Sequence, residues 1–216
     1  MIPKQGWINL YKPKNITSFK AINFIKKKFL IKKIGHAGTL DPMAEGILPI
    51  AIGKATKLIP YINIMKKEYE FTITWGSQTT TDDSQGKIIF ESNYFPTKTE
   101  IEKKINSYLG YINQIPPKVS AVKINGQRAY KLFRENEKFT IEPKKVFIEK
   151  LNITEHNTHK TSFKILCGKG FYVRSFARDF AIDLKTYGHI SSLKRSKVGK
   201  FTEKTSILLD DLLKIG

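Results

Sequence analysis

The sequence predicts an α+β fold, a mixed and mainly antiparallel central sheet flanked by helices and loops. Three observations carry this expectation. Residues 68–75, E-Y-E-F-T-I-T-W, alternate strictly between polar and apolar side chains, the mark of a strand with one buried face. Residues 171–184, F-Y-V-R-S-F-A-R-D-F-A-I-D-L, place Val173, Phe176, Ala177, Phe180 and Leu184 along one side of a helix. Strands follow one another in hairpin-like succession and do not alternate with helices at βαβ spacing.

The elements follow in order. Gly6 to Lys12 alternates weakly and reads as a first strand, closed by a K-P-K-N turn at 12–15. Thr17 or Ser18 caps a helix whose apolar positions are Phe19, Ile22, Ile25 and Phe29, and which ends among Lys26, Lys27 and Lys28. I-L-P-I-A-I-G at 47–53 reads as a buried strand or a short apolar connection. After the strand at 68–75 come a polar loop at 76–86 and K-I-I-F-E at 87–91, which returns as its antiparallel partner. Thr99 and Glu102 have capping-box spacing, ahead of a helix burying Ile101, Ile105, Tyr108 and Leu109 and stopping at Gly110. V-S-A-V-K-I-N-G at 119–126 is a strand entering an Asn-Gly turn. The basic, weakly periodic stretch 127–145 reads as a surface excursion. K-V-F-I-E-K-L-N-I and T-S-F-K-I-L-C are two further strands. A strand near 189–194 and a short helix near 205–214 close the chain.

Thirty-eight Lys and Arg against 19 Asp and Glu leave a net charge of +19 over 216 residues. Such an excess favours a polyanionic partner, nucleic acid above all. A compositional drift toward lysine produces the same count, so the charge has meaning only beside motifs. Cys167 is the single cysteine, which excludes a disulfide framework and a zinc knuckle. The N-terminal M-I-P-K-Q-G-W lacks the apolar core of a signal peptide, and no run reaches the length of a membrane span. The expectation is a soluble, cytoplasmic protein.

Residues 35–42, G-H-A-G-T-L-D-P, set one acid, Asp41, beside His36 in a glycine-punctuated turn. Asp-Pro is a common turn former, and a lone histidine is more often packed than chemically active. Arg174 lies in the first turn of its helix, where a cation opposes the helix dipole unless an anion meets it. Tyr69 and Tyr172 read equally as core rings or as planes for a base taken out of its stack.

Four segments in order resemble the TruB-type tRNA pseudouridine synthases. They are K-P-K-N-I-T-S (12–18), G-H-A-G-T-L-D-P-M-A-E-G-I-L-P-I-A-I-G-K-A-T-K-L (35–58), P-P-K-V-S-A-V-K-I-N-G-Q-R-A-Y (116–130), and C-G-K-G-F-Y-V-R-S (167–175) with L-K-R-S-K-V-G-K-F (193–201). The resemblance implies a pseudouridine synthase catalytic domain over residues 1–216 that converts uridine 55 in the tRNA T-loop to pseudouridine. It makes Asp41 the catalytic carboxylate, paired with Arg174. Tyr69 stacks on the flipped base, His36 assists extrusion, Tyr172 and Leu193 complete the pocket wall, and Lys12 and Pro13 support the active-site loop. Residues 116–145 become a thumb over the RNA.

The rearrangement breaks a C–N bond and forms a C–C bond within one nucleoside, so the expected cofactor is none and the expected metal is none. The expected partner is the tRNA T-stem-loop, the protein acting as a monomer with no membrane. Relatives carry a C-terminal PUA-type domain, and the chain is expected to lack it and to bind tRNA more weakly. Asn15 replaces the family's usual glycine, and asparagine tolerates positive φ. Ala181, Lys185 and Tyr187 also stand where glycine is frequent. Two other readings compete. One is an RNA-binding protein without catalysis. The other is a metal-dependent phosphodiesterase built on Asp41, His36, Asp82 and Asp83.

Overall fold

The computed structural model describes residues 4–215. Met1 to Pro3, and with them part of the N-terminal reading, lie outside the described residues, as does Gly216. The chain runs β1 (Gly6–Lys12), α1 (Ser18–Lys28), β2 (Ile34–His36), β3 (Glu45–Ile52), α2 (Ile59–Asn63) and β4 (Lys67–Trp75). It continues with β5 (Ser77–Thr79), β6 (Ile88–Glu91), α3 (Lys98–Ile105), β7 (Gly110–Gln114), β8 (Lys123–Ile124), β9 (Gln127–Arg128) and α4 (Ala129–Arg134). It closes with β10 (Lys144–His156), β11 (Lys160–Cys167), α5 (Val173–Asp183), β12 (Gly188–Val198), β13 (Phe201–Thr202), β14 (Ile207–Leu208) and α6 (Leu209–Lys214). The mixture is α+β, as expected. Two compact units divide it: residues 4–70 with 192–215, and Phe71–Ser191.

The first unit is organised by β3. Its apolar run is buried on both faces, so it sits centrally. β1 pairs with it antiparallel from Gly6 opposite Ile52 to Lys12 opposite Gly46. On its other edge β2 pairs antiparallel, His36 opposite Ile50, and β12 pairs parallel, Arg195 opposite Gly46. Period-2 alternation along β1 buries Ile8, Leu10 and Lys12 on one face, so the strand itself drives the lysine inward. Thr17 caps α1, accepting from the Lys20 amide at 3.0 Å. The helix buries Ser18, Ala21, Ile22 and Ile25; Phe19, expected inside, is 71% exposed.

In the second unit β10 pairs antiparallel with β11 on one edge and β7 on the other. β7 was not expected from the sequence. Against this sheet α5 lays Phe176 and Phe180, both fully buried. Phe176 meets Phe180 at 5.0 Å, Tyr108 at 5.4 Å, Phe71 at 5.7 Å and Phe163 at 6.3 Å between ring centroids. Cys167 is buried at the end of β11.

Three further expectations are corrected. β6 pairs with β5 in a small sheet of its own and not with β4. Gly76, at φ +88°, turns the chain after β4, so a second polar strand forms before β6 returns. The capping box is Thr97 with Glu100, two residues earlier than expected. The Asn-Gly turn holds, with Asn125 and Gly126 at φ +48° and +85°, but only Lys123–Ile124 pairs before it, and the basic excursion contains α4. Among the described residues no helix is long and apolar enough to cross a membrane.

Candidate active site

Asp41 stands on the connection from β2 to β3. Its carbonyl accepts from the Ala44 amide at 3.1 Å, closing a four-residue turn with Pro42 in second position, where proline's fixed φ is favoured. Several ties hold this turn from the N-terminal side. The Ser18 hydroxyl donates to the Leu40 carbonyl at 3.0 Å and accepts from the Leu40 amide at 2.9 Å. The Asn15 amide donates to the Pro42 carbonyl at 2.8 Å. Asn15 adopts φ +62°, so asparagine serves in the left-handed position where glycine is usual.

Lys12 is fully buried at the end of β1. Its ammonium donates to the carbonyls of Pro13 and Ile16, each at 2.8 Å, which fixes the K-P-K-N-I turn; the Pro13 ring is exposed. Burial lowers the ammonium to about 8, against the opposing pull of the Asp41 carboxylate. The folded state therefore holds Lys12 less protonated than the unfolded chain between about pH 8 and its ordinary 10.5. By linkage, this group's contribution to stability rises with pH across that window. Wild type is accordingly expected to gain stability relative to Lys12→Met as pH climbs from 8 toward 10.5. Thermal melts of both proteins over that range check the sign.

His36 ends β2. Burial first, then the Arg195 guanidinium, hold its imidazole below the ordinary value, so it is neutral at pH 7. Its Nδ1 is buried and lacks a hydrogen-bond partner. On β12, Lys194 pairs with Glu70 at 2.7 Å and Ser196 donates to Glu68 at 2.8 Å. These four side chains share one face of the sheet. Alternation sends Tyr69, Leu193 and Arg195 to the other, and all three are buried there. Arg195 reaches from that face to the carbonyls of Gly38 and Ile47, at 2.9 and 2.8 Å, on either side of Asp41. Lys12, His36, Asp41, Tyr69 and Leu193 thus fall in one unit. Arg195 lies in the L-K-R-S-K-V-G-K-F segment with no role implied by it; a charged residue in phase with buried Leu193 is the signal the sequence offers.

Tyr172 and Arg174 belong to the second unit. Tyr172 precedes α5, its backbone clasped by the Gln114 amide group, which accepts from the Tyr172 N–H at 2.8 Å and donates to its carbonyl at 3.0 Å. Arg174 is 4% exposed. It donates to the carbonyls of Thr81 and Val119 at 3.0 and 2.9 Å, and Nε lies 3.7 Å from the Asp83 carboxylate. Arg178 pairs with Asp82 at 3.1 Å and Asp179 at 2.8 Å. Asp82 and Asp83, which the phosphodiesterase reading treated as metal ligands, are instead buried counter-ions of arginines, and the 76–86 segment is not a solvated loop at these positions. Among the described residues, no three or more His, Cys, Asp or Glu are grouped to hold a metal.

Residues 26–173 match the TruB family pseudouridylate synthase N-terminal domain. The chain is 49% identical over 211 residues to a tRNA pseudouridine synthase B of Wolbachia pipientis, covering 97% of this chain and 60% of that protein. It is 46% identical over 209 residues to the Ehrlichia chaffeensis protein of the same name, covering 96% of this chain and 71% of the relative. The fold resembles a chain in the crystal structure of a Cbf5-Nop10-Gar1 complex, with a TM-score of 0.76 and 27% identity, over 97% of this chain and 54% of that one. It also resembles a chain of an H/ACA RNP bound to a substrate RNA containing 2'-deoxyuridine, with a TM-score of 0.73 and 25% identity, over 96% of this chain and 52% of that one.

Proposed function

Because the chain belongs to the TruB family of pseudouridylate synthases, we propose that it isomerises uridine 55 in the T-loop of tRNA to pseudouridine, with Asp41 as the catalytic carboxylate. The observation that supports this most is the Asp41 turn itself, tied down through Ser18, Asn15 and Arg195 and placed beside a buried ammonium. A turn that served only to reverse the chain would need none of this.

The uridine leaves its stack, at a cost of about a few kcal/mol, less in a strained loop. Tyr69 offers its ring as the replacement stacking plane, Leu193 closes the pocket wall, and neutral His36 assists extrusion. The C1'–N1 bond then breaks, the base turns, and C5 bonds to C1'. The C5 proton is lost and N1 gains one, so the sum of atoms is unchanged and no cofactor is required. Attack on the sugar carbon, addition to the base and removal of a sugar proton all need Asp41 ionised. Pro13 and Lys12 support the turn. Tyr172 and Arg174 are assigned to the substrate side on the motif match, and residues 116–145 act as the thumb over the T-stem-loop. The excess positive charge supplies phosphate affinity. We assign this activity to a monomeric catalytic domain.

The test is pseudouridine mapping on an unmodified tRNA transcript incubated with the purified protein alone. A single modified uridine at position 55 is expected, undiminished by excess EDTA. No modification, or strand cleavage dependent on a divalent cation, would overturn the proposal.

A further inference from the structure

We infer that Arg195 is a positioning residue for catalysis, a clamp that aims the Asp41 turn without touching the substrate. The inference rests on Asp41 as the reacting carboxylate but stands on observations of its own. Arg195 is 1% exposed. A guanidinium cannot shed its proton to escape burial, and its five N–H donors must all be considered. Buried arginines are ordinarily met by carboxylates. Here the acceptors are three main-chain carbonyls: Nε donates to Ile47 at 2.8 Å, one terminal nitrogen to Gly38 at 2.9 Å, and the other to Thr39 at 3.4 Å. Gly38 and Thr39 precede Asp41, and Ile47 follows it. One planar fork therefore joins the two limbs of the turn.

Two glycines of the motif make the seat for this arginine. Gly46 lies directly opposite Arg195 in the parallel β3–β12 register. A Cβ there would stand 2.3 Å from the Arg195 carbonyl oxygen, so only glycine lets the strands meet flush. Gly38 adopts φ +84°, and a Cβ on it would come within 3.3 Å of an Arg195 terminal nitrogen. The spacing of glycines around Asp41 thus becomes intelligible: one fixes where Arg195 starts, the other leaves room for where it ends. Ser18 and Asn15 tie the turn separately, at Leu40 and Pro42, so loss of the fork loosens it without releasing it altogether.

Arg195→Lys tests the clamp, because it retains the buried charge and removes the planar three-way fork. Three readouts separate positioning from mere stability: the single-turnover rate, tRNA affinity, and amide hydrogen exchange over residues 37–47. The rate is expected to fall by about 10- to 100-fold, as displacement of a reacting group by an ångström does. Affinity should stay within about twofold, because the lost interaction acts only on the reacting geometry. Exchange should rise in 37–47 and stay protected in β1 and β12. Should Arg195→Lys fail to fold, Gly38→Ala crowds the guanidinium while keeping it, and the same pattern is expected.

A folded variant with wild-type rate and unchanged exchange would defeat the clamp, and so would a loss confined to affinity. Wild-type protein that forms no pseudouridine would defeat the functional proposal instead. The exchange measurement needs no activity and judges the clamp in either case.

Discussion

Asp41→Asn is expected to lower pseudouridine formation by about 10³-fold or more while leaving tRNA binding intact. Asparagine keeps the size of the side chain and one acceptor oxygen, so the Ala44–Asp41 turn, which uses the main-chain carbonyl, survives. What disappears is the negative charge that acts on the nucleoside, and contributions of this kind span roughly 10²- to 10⁴-fold. Binding should hold or tighten slightly, because an anion facing phosphate is removed. Fluorescence titration with a T-stem-loop and pseudouridine mapping on the same preparation separate the two quantities. An unaltered yield would leave an RNA-binding protein that does not use Asp41, and the enzymatic reading would be withdrawn.

The largest effect on stability is expected at Phe176. This ring is fully buried where α5 crosses the sheet of the second unit, and it touches Phe71, Phe163, Phe180, Tyr108 and Phe171. Phe176→Ala leaves a cavity that the five surrounding rings cannot collapse to fill, costing about 3–5 kcal/mol. In a chain of this size that lowers the melting temperature by on the order of 10 °C. Phe19→Ala is the control: its ring is 71% exposed, and a change within about 0.5 kcal/mol is expected. Comparable losses at both positions would contradict the packing described for each helix.

The contrast between those two phenylalanines also marks how much was legible beforehand. Period-2 alternation identified β4, whose buried residues are those expected, and β1 was placed to the residue. The face of α5 was likewise read from spacing. On α1 spacing placed Ile22 and Ile25 inside, as they are, but misled at Phe19, because only tertiary packing turns the helix toward Ala21 instead. Around α3 two overlapping sequences, T-K-T-E and T-E-I-E, each have capping-box spacing. The first is used, and Pro96 immediately before Thr97 suits a chain not yet helical. The partner of β6 was misjudged because a three-residue polar strand such as β5 leaves no hydrophobic signature.

Within the candidate site, single residues were named by motif, whereas the reason for their arrangement was not readable. Nothing local announces that Ser18 grips Leu40 across 22 residues, or that Arg195 spends its donors on backbone near Gly38. Asp82 and Asp83 show the reverse: two adjacent acids in a polar loop read as solvated or as cation ligands, and neither reading foresees the arginines of α5 brought against them.

Cys167 is buried at the end of β11, and no second sulfhydryl exists in the chain. The molecule thus carries an intrinsic clock. An alkylating reagent can reach that sulfur only when the surrounding strands part, so the pace of labelling measures how often Phe71–Ser191 breathes, without any engineered probe.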